Sequence, residues 1–111
     1  MDFDKIFDAI DHMYERNKSD DELNSLVSDF YQCAIAYTDY RVKWNFYTRE
    51  ERQDNDRYRT IKHDRFMAAY SKVTNYLGKL IDVSYFELGT DRKVYGDFAN
   101  YVVYKLAVKQ R

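Results

Sequence analysis

A chain of 111 residues, 45% hydrophobic and 18% aromatic, is sized for a single helical domain spanning 1–111 and is too rich in aromatics to be disordered. A lone cysteine, Cys33, excludes an intramolecular disulfide; Met1 to Ile10 lacks the hydrophobic run of a leader, and no stretch approaches the roughly 20 apolar residues that span a bilayer, so a soluble cytoplasmic protein without membrane contact is expected. Net charge is −1, yet residues 1–30 hold nine acids against three bases and residues 31–111 hold fifteen bases against ten acids, which predicts either an acidic N-terminal helix lying on basic neighbours or a basic face that meets an acidic partner.

The absence of proline and the presence of only three glycines favour long helices. The first is expected over Asp2–Arg16, where Phe3, Ile6, Phe7, Ile10, Met13 and Tyr14 recur at steps of three and four. Asp2 and Asp4 suit the positive end of its dipole. The second helix is expected to open on Ser19-Asp20-Asp21-Glu22, a capping box in which the Ser19 hydroxyl and the Glu22 carboxylate satisfy each other's backbone N–H. From there Leu23, Leu26, Phe30, Cys33, Tyr37, Tyr40, Trp44 and Tyr47 form a heptad-like seam. Its last members are hydroxylated aromatics, which need hydrogen-bond partners if buried.

Thr48-Arg49-Glu50-Glu51 is a second capping box and starts the third helix. The polar run Arg52 to Arg57 reads as a solvated first turn or a short loop. Beyond it, Phe66, Tyr70, Val73, Leu77 and Leu80 form a seam, with Gly78 near its end. Val83 to Gly89 reads as a connection with a short turn of helix. The fourth helix starts at Thr90-Asp91 and carries Val94, Tyr95, Phe98, Tyr101, Val102 and Val108 on one face, with Lys105, Lys109 and Arg111 at its negative end. Gly96 inside it costs about 1 kcal/mol relative to alanine, and close approach to another helix is the expected reason. Short connections between long helices predict an all-α fold, an antiparallel up-down four-helix bundle with an aromatic-rich core. The shorter first helix leaves one end of that bundle incompletely covered, and a second copy of the chain is expected as one way to cover it.

Two polar clusters interrupt this pattern. Traced backwards from Phe66, the third-helix seam passes through His63, Arg59 and Asp56, and folding the hairpin about residues 48–52 sets these opposite Tyr37, Tyr40 and Arg41. Lys105 and Lys109 are expected to approach them. Such a row can simply fix the register of a bundle. Its functional reading is an anion- or partner-binding pocket, with Arg59 as the fork and His63 as a titratable donor. The second cluster is Asp91, Arg92, Lys93 and Asp97, read as capping and surface pairing. Up-down topology would place it about a bundle length from His63.

Catalytic and metal signatures are missing from the pattern. His12 and His63 are the only histidines, and no glutamate is followed three residues later by a histidine, so no metal or other cofactor is expected. Cys33 lies on an apolar seam and reads as a core residue. No phosphate loop or nucleophile elbow occurs, and no enzyme activity is expected. Residues 41–65 combine eight Lys or Arg with Trp44, Phe46, Tyr47 and Tyr58, a mix seen in single-strand binders. Five acids in the same window and a pI near 6.1 argue against a nucleic-acid partner.

The stretches Arg59-Thr60-Ile61-Lys62-His63-Asp64-Arg65-Phe66 and Gly89-Thr90-Asp91-Arg92-Lys93-Val94-Tyr95-Gly96-Asp97-Phe98-Ala99-Asn100-Tyr101 resemble a family of short uncharacterised helical proteins of Gram-positive bacteria and their mobile elements. The resemblance implies a helical protein without an assigned function, and it transfers no catalytic residue. The leading expectation is a non-enzymatic protein–protein interaction module whose partner is unidentified. A weak nucleic-acid binder and a small anionic-ligand-binding bundle are the alternatives.

Overall fold

The computed structural model describes residues 1–110, and among them the fold consists of four α-helices and one 3-10 turn, with no strand. Helix α1 spans Phe3–Arg16 and is opened by Asp2, whose carboxylate accepts the Lys5 N–H at 3.0 Å. It buries Ile6, Phe7 and Ile10 on the expected face. Helix α2 spans Asp21–Phe46. Its cap is Asp20 and not Ser19: the Asp20 carboxylate accepts the Leu23 N–H at 3.0 Å. Aspartate caps at least as well as serine, and the second oxygen of Asp20 takes the Tyr76 hydroxyl at 2.6 Å, which ties this cap to the third helix.

Helix α3 spans Arg49–Leu77 and begins with the capping box read from the sequence, Thr48 and Glu51 each bonding the other's backbone N–H. The polar run Arg52 to Arg57 belongs to this helix. The helix ends at Leu77, so Leu80 falls past it and is 53% exposed, outside the seam expected for it. Helix α4 spans Arg92–Lys109 behind an Asp91 cap. Val108 on its expected apolar face is exposed, and Arg111 lies outside the described residues.

The core is built around Phe30, whose ring packs against Phe66, Tyr70 and Phe98 at centroid distances of 5.5, 5.7 and 6.1 Å. Leu23, Val27, Ala34, Val73, Leu77 and Val102 are likewise fully enclosed. Each large side chain buried in this way contributes roughly 1.5–3 kcal/mol. The buried face of α2 is broader than a heptad seam and centres on Leu23, Val27, Phe30, Tyr31, Ala34 and Tyr37. Leu26 and Cys33 sit at its edge, because α2 meets α1, α3 and α4 at once.

Tyr37 packs on His63 and Phe30 on Tyr70, so α2 and α3 run in opposite directions, but α4 does not complete an up-down-up-down order. His63 packs on Tyr95 and Phe66 on Phe98 as both numbers rise together, so α3 and α4 run in the same direction. Lys105 bonds Asp4 at 3.0 Å and Lys109 bonds Asp11 at 2.9 Å, so α4 runs alongside α1 as well. Residues 78–91 make this possible. A link of this length spans up to about 45 Å, ample for the ~21 Å from Leu77 back to the level of His63. On the way it buries Phe86 and Leu88, and the Tyr70 hydroxyl donates to the Phe86 carbonyl.

Two expectations change with the direction of α4. Lys105 and Lys109 do not approach His63. They join Asp4, Asp8, Asp11 and Glu15 in a ladder of ion pairs between α4 and α1. The acidic N-terminal helix thus does lie on basic neighbours. The Asp91–Asp97 cluster, in turn, sits beside the hairpin of α2 and α3 and not at the far end of the bundle.

At about 43 Å, α3 is far longer than α1 at about 21 Å or α4 at about 27 Å, taking 1.5 Å per residue. The hairpin of α2 and α3 therefore projects past the other two helices. None of residues 38–62 is buried.

Candidate functional site

Where the projecting hairpin leaves the core, a cleft of about 500 Å³ opens against the start of α4. Tyr37, Arg41, Trp44, Arg59, Arg92 and Lys93 line it, with Val42, Asn45 and Asn100 at its margin. Arg41 enters it from α2 and Arg59 from α3. Arg92 and Lys93 arrive because α4 starts at this level.

Each hairpin arginine is held by one aromatic ring and one carboxylate. The Arg59 guanidinium lies 4.6 Å from the Trp44 ring centre and 3.1 Å from Asp56. The Arg41 guanidinium lies 5.8 Å from the Tyr37 ring centre and 3.9 Å from Asp97. Ring and carboxylate contacts together bias the orientation of these groups. Arg41 Nη1 and Arg59 Nε are nevertheless buried with no hydrogen-bond partner in the protein. Leaving such a donor unmade costs roughly 1–3 kcal/mol.

Gly96 is the seat of Arg41. A Cβ added there would lie 2.6 Å from both Cζ and Nη1 of Arg41, so only glycine leaves the guanidinium its place. The close approach expected at Gly96 is therefore to a side chain and not to a helix backbone. Gly89 has a different role: its φ of 78° turns the chain into α4, and the Tyr95 hydroxyl donates to its carbonyl at 3.0 Å.

The remaining candidates divide. His63 is 3% exposed and does not line the cleft. Its ring meets the Tyr37 and Tyr95 rings edge-on at 5.6 and 6.0 Å, Nδ1 lies 3.1 Å from the Asp64 carboxylate, and Nε2 has no partner. It supports Tyr37 from beneath. Tyr40 is spent on the hairpin, donating to the Asn55 carbonyl at 2.9 Å. Asp91 caps α4 through the Lys93 N–H, while Asp97 is shared between Arg41 and Lys93, the latter at 3.7 Å. The two clusters separated in the sequence reading thus meet at one place.

The electrostatics agree with the geometry. Burial pushes the Tyr37 hydroxyl above its ordinary pKa, and the charges of Arg41, Arg92 and Arg59 pull against that rise. Four cations line the cleft; Asp56 pairs with Arg59 and Asp97 is shared by Arg41 and Lys93, so two carboxylates face four positive charges. Sequence reasoning missed Trp44 as the platform of Arg59, although the hairpin register that paired Arg41 with Arg59 also sets Trp44 against Asp56.

Elsewhere the chemistry is sparse. Among the described residues no three His, Cys, Asp or Glu side chains converge as metal ligands. Cys33 borders a shallow hollow with Lys62 and Arg65, but burial, with the help of Asp29, raises its thiol pKa, the reverse of what a nucleophile requires. No helix among the described residues is long and apolar enough to cross a membrane. No protein-family model matches this chain, and no match is found among curated proteins or solved structures.

Proposed function

We propose that this chain is a non-enzymatic helical interaction module of the cytoplasm that captures an anionic group of a partner protein in the cleft between the α2–α3 hairpin and α4. The observation that supports this most is the pair Arg41 and Arg59, each oriented by a ring and a carboxylate and each with a buried N–H left unbonded. Val42 on the rim and Phe46 one turn further along α2 are 53% and 83% exposed, and this apolar strip suits a protein better than a free small anion. The segments resembling short helical proteins of Gram-positive bacteria, Arg59–Phe66 and Gly89–Tyr101, contribute Arg59, Arg92, Lys93 and Asn100 to its lining. A second copy of the chain is a candidate occupant of the same strip.

Affinity capture from the native host, with nuclease treatment and an Arg41→Ala, Arg59→Ala double variant as controls, tests the proposal. A partner retained by the parent chain, insensitive to nuclease and absent from the double variant is the expected result. A partner lost on nuclease treatment would move the reading to nucleic acid. Against that second reading stands Trp44, whose ring is already covered by Arg59 and by Arg52 at 5.7 Å, leaving little face for a base.

A further inference from the structure

Building on the proposed capture of an anionic group in this cleft, we infer that the group is a phosphate monoester carried by a partner's side chain, held between the guanidiniums of Arg41 and Arg59. The first reason is charge. Arg41, Arg59, Arg92 and Lys93 line the cleft, and only Asp56 and Asp97 pair with them. Among the described residues Arg92 has no carboxylate within ion-pairing distance. Two positive charges are left over. A phosphate monoester brings about −1.5 to −2 at neutral pH, whereas a single carboxylate would leave one cation unanswered in a partly enclosed site.

The second reason is donor geometry. A phosphate offers three acceptor oxygens in a tetrahedral spread, one more than a carboxylate, and two separate guanidiniums can share them. Here the two guanidiniums come from different helices, and each already rests beside a ring and a carboxylate, Arg59 by Trp44 and Asp56 and Arg41 by Tyr37 and Asp97. These contacts narrow the rotamers that an arriving anion must order. The third reason is Gly96. Glycine within a helix is unfavourable, and the space it leaves is filled by the Arg41 guanidinium, so the helix gives up stability at the position where the fork is seated.

The experiment is calorimetric titration of the whole chain with four probes: N-acetyl-phosphotyrosinamide, N-acetyl-tyrosinamide, N-acetyl-glutamamide with its free side-chain carboxylate, and inorganic phosphate. The phosphorylated amide is expected to bind at least about tenfold more tightly than the glutamate probe. Arg41→Lys and Arg59→Lys keep the charge and remove the fork, and each is expected to lose about tenfold. Gly96→Ala, which alters no charge, is expected to do the same by displacing Arg41, with the helical circular dichroism unchanged. Lys43→Ala, on the far side of α2 and paired with Asp39, is expected to bind like the parent chain. Equal binding of the phosphate and glutamate probes would overturn the phosphate inference and leave the anion-capturing cleft standing. Failure of every probe to bind would overturn both. Inorganic phosphate binding as tightly as the phosphorylated amide would keep the phosphate and overturn its partner-borne source.

Discussion

Helices α2 and α3 pass through two regions that obey different rules. In the lower region, Leu23, Val27, Phe30, Ala34, Phe66 and Val73 are sealed on all sides. In the upper region, residues 38–62, no residue is buried, and the two helices pack mainly on each other, with Arg41 reaching Asp97 of α4 at the base. The cause is length: α1 and α4 are too short to cover α3. The lower region is where stability resides. The upper one keeps its backbone helical through caps and paired charges, and its chemistry collects at the boundary, where α4 first comes alongside.

The largest effect that would sharpen this contrast is expected from Phe30→Ala. It removes the ring on which Phe66, Tyr70 and Phe98 converge and should cost about 3–5 kcal/mol in denaturant unfolding. Phe46→Ala, the same truncation at an exposed site of the upper region, should change stability by less than about 0.5 kcal/mol. Comparable losses at both positions would break the comparison.

A smaller effect is expected at the Thr48 cap. Thr48→Ala removes the hydroxyl that accepts the Glu51 N–H and should cost about 1 kcal/mol of local helix stability. Hydrogen exchange should show the loss in residues 44–56 and leave the amides around Phe66 and Val73 unchanged. A loss of protection shared by both regions would mean that they unfold as one unit.

The smallest effect concerns pH, and the depressed carboxylates behind its acid limb all lie in the lower region. The Tyr101 hydroxyl and then Lys105 hold the Asp4 carboxyl below its ordinary value of 3.8, Lys109 does the same for Glu15 below 4.5, and the Tyr76 hydroxyl does it for Asp20 below 3.8. A carboxylate with a depressed folded-state pKa stabilises the fold above its unfolded-state value, and that contribution is lost as pH falls through the folded-state value. Stability should therefore decline below about pH 4, and Asp4→Asn should flatten the decline. At the alkaline end the signs reverse. Tyr76, through its bond to Asp20, and Tyr101, chiefly through burial, are both pushed up to about 12. Their contribution is complete below the ordinary tyrosine value of 10.0 and disappears as pH rises towards about 12. An acid profile unaltered by Asp4→Asn would remove the α1–α4 ladder from the account.

The four helices, the caps at Thr48 and Asp91, and the buried polar position His63 were legible in the sequence, whereas Asp2 was read as a first-turn residue, and Asp56 lies exposed and Arg59 half-buried beyond the buried seam. The legible features depend on local physics: a periodicity of three and four, side-chain oxygens able to meet orphan N–H groups, and hairpin register. Tertiary structure alone decided the cap at Asp20, chosen over Ser19 because Tyr76 approaches it from a helix distant in sequence. It alone decided the direction of α4. Residues 78–91 are long enough to permit either direction, and the choice rests on burying Phe86, Leu88 and Phe98 and on pairing Lys105 and Lys109 with α1. That direction brings Arg92, Lys93, Gly96 and Asp97 to Arg41 and Arg59, and so the cleft exists only once the chain has folded.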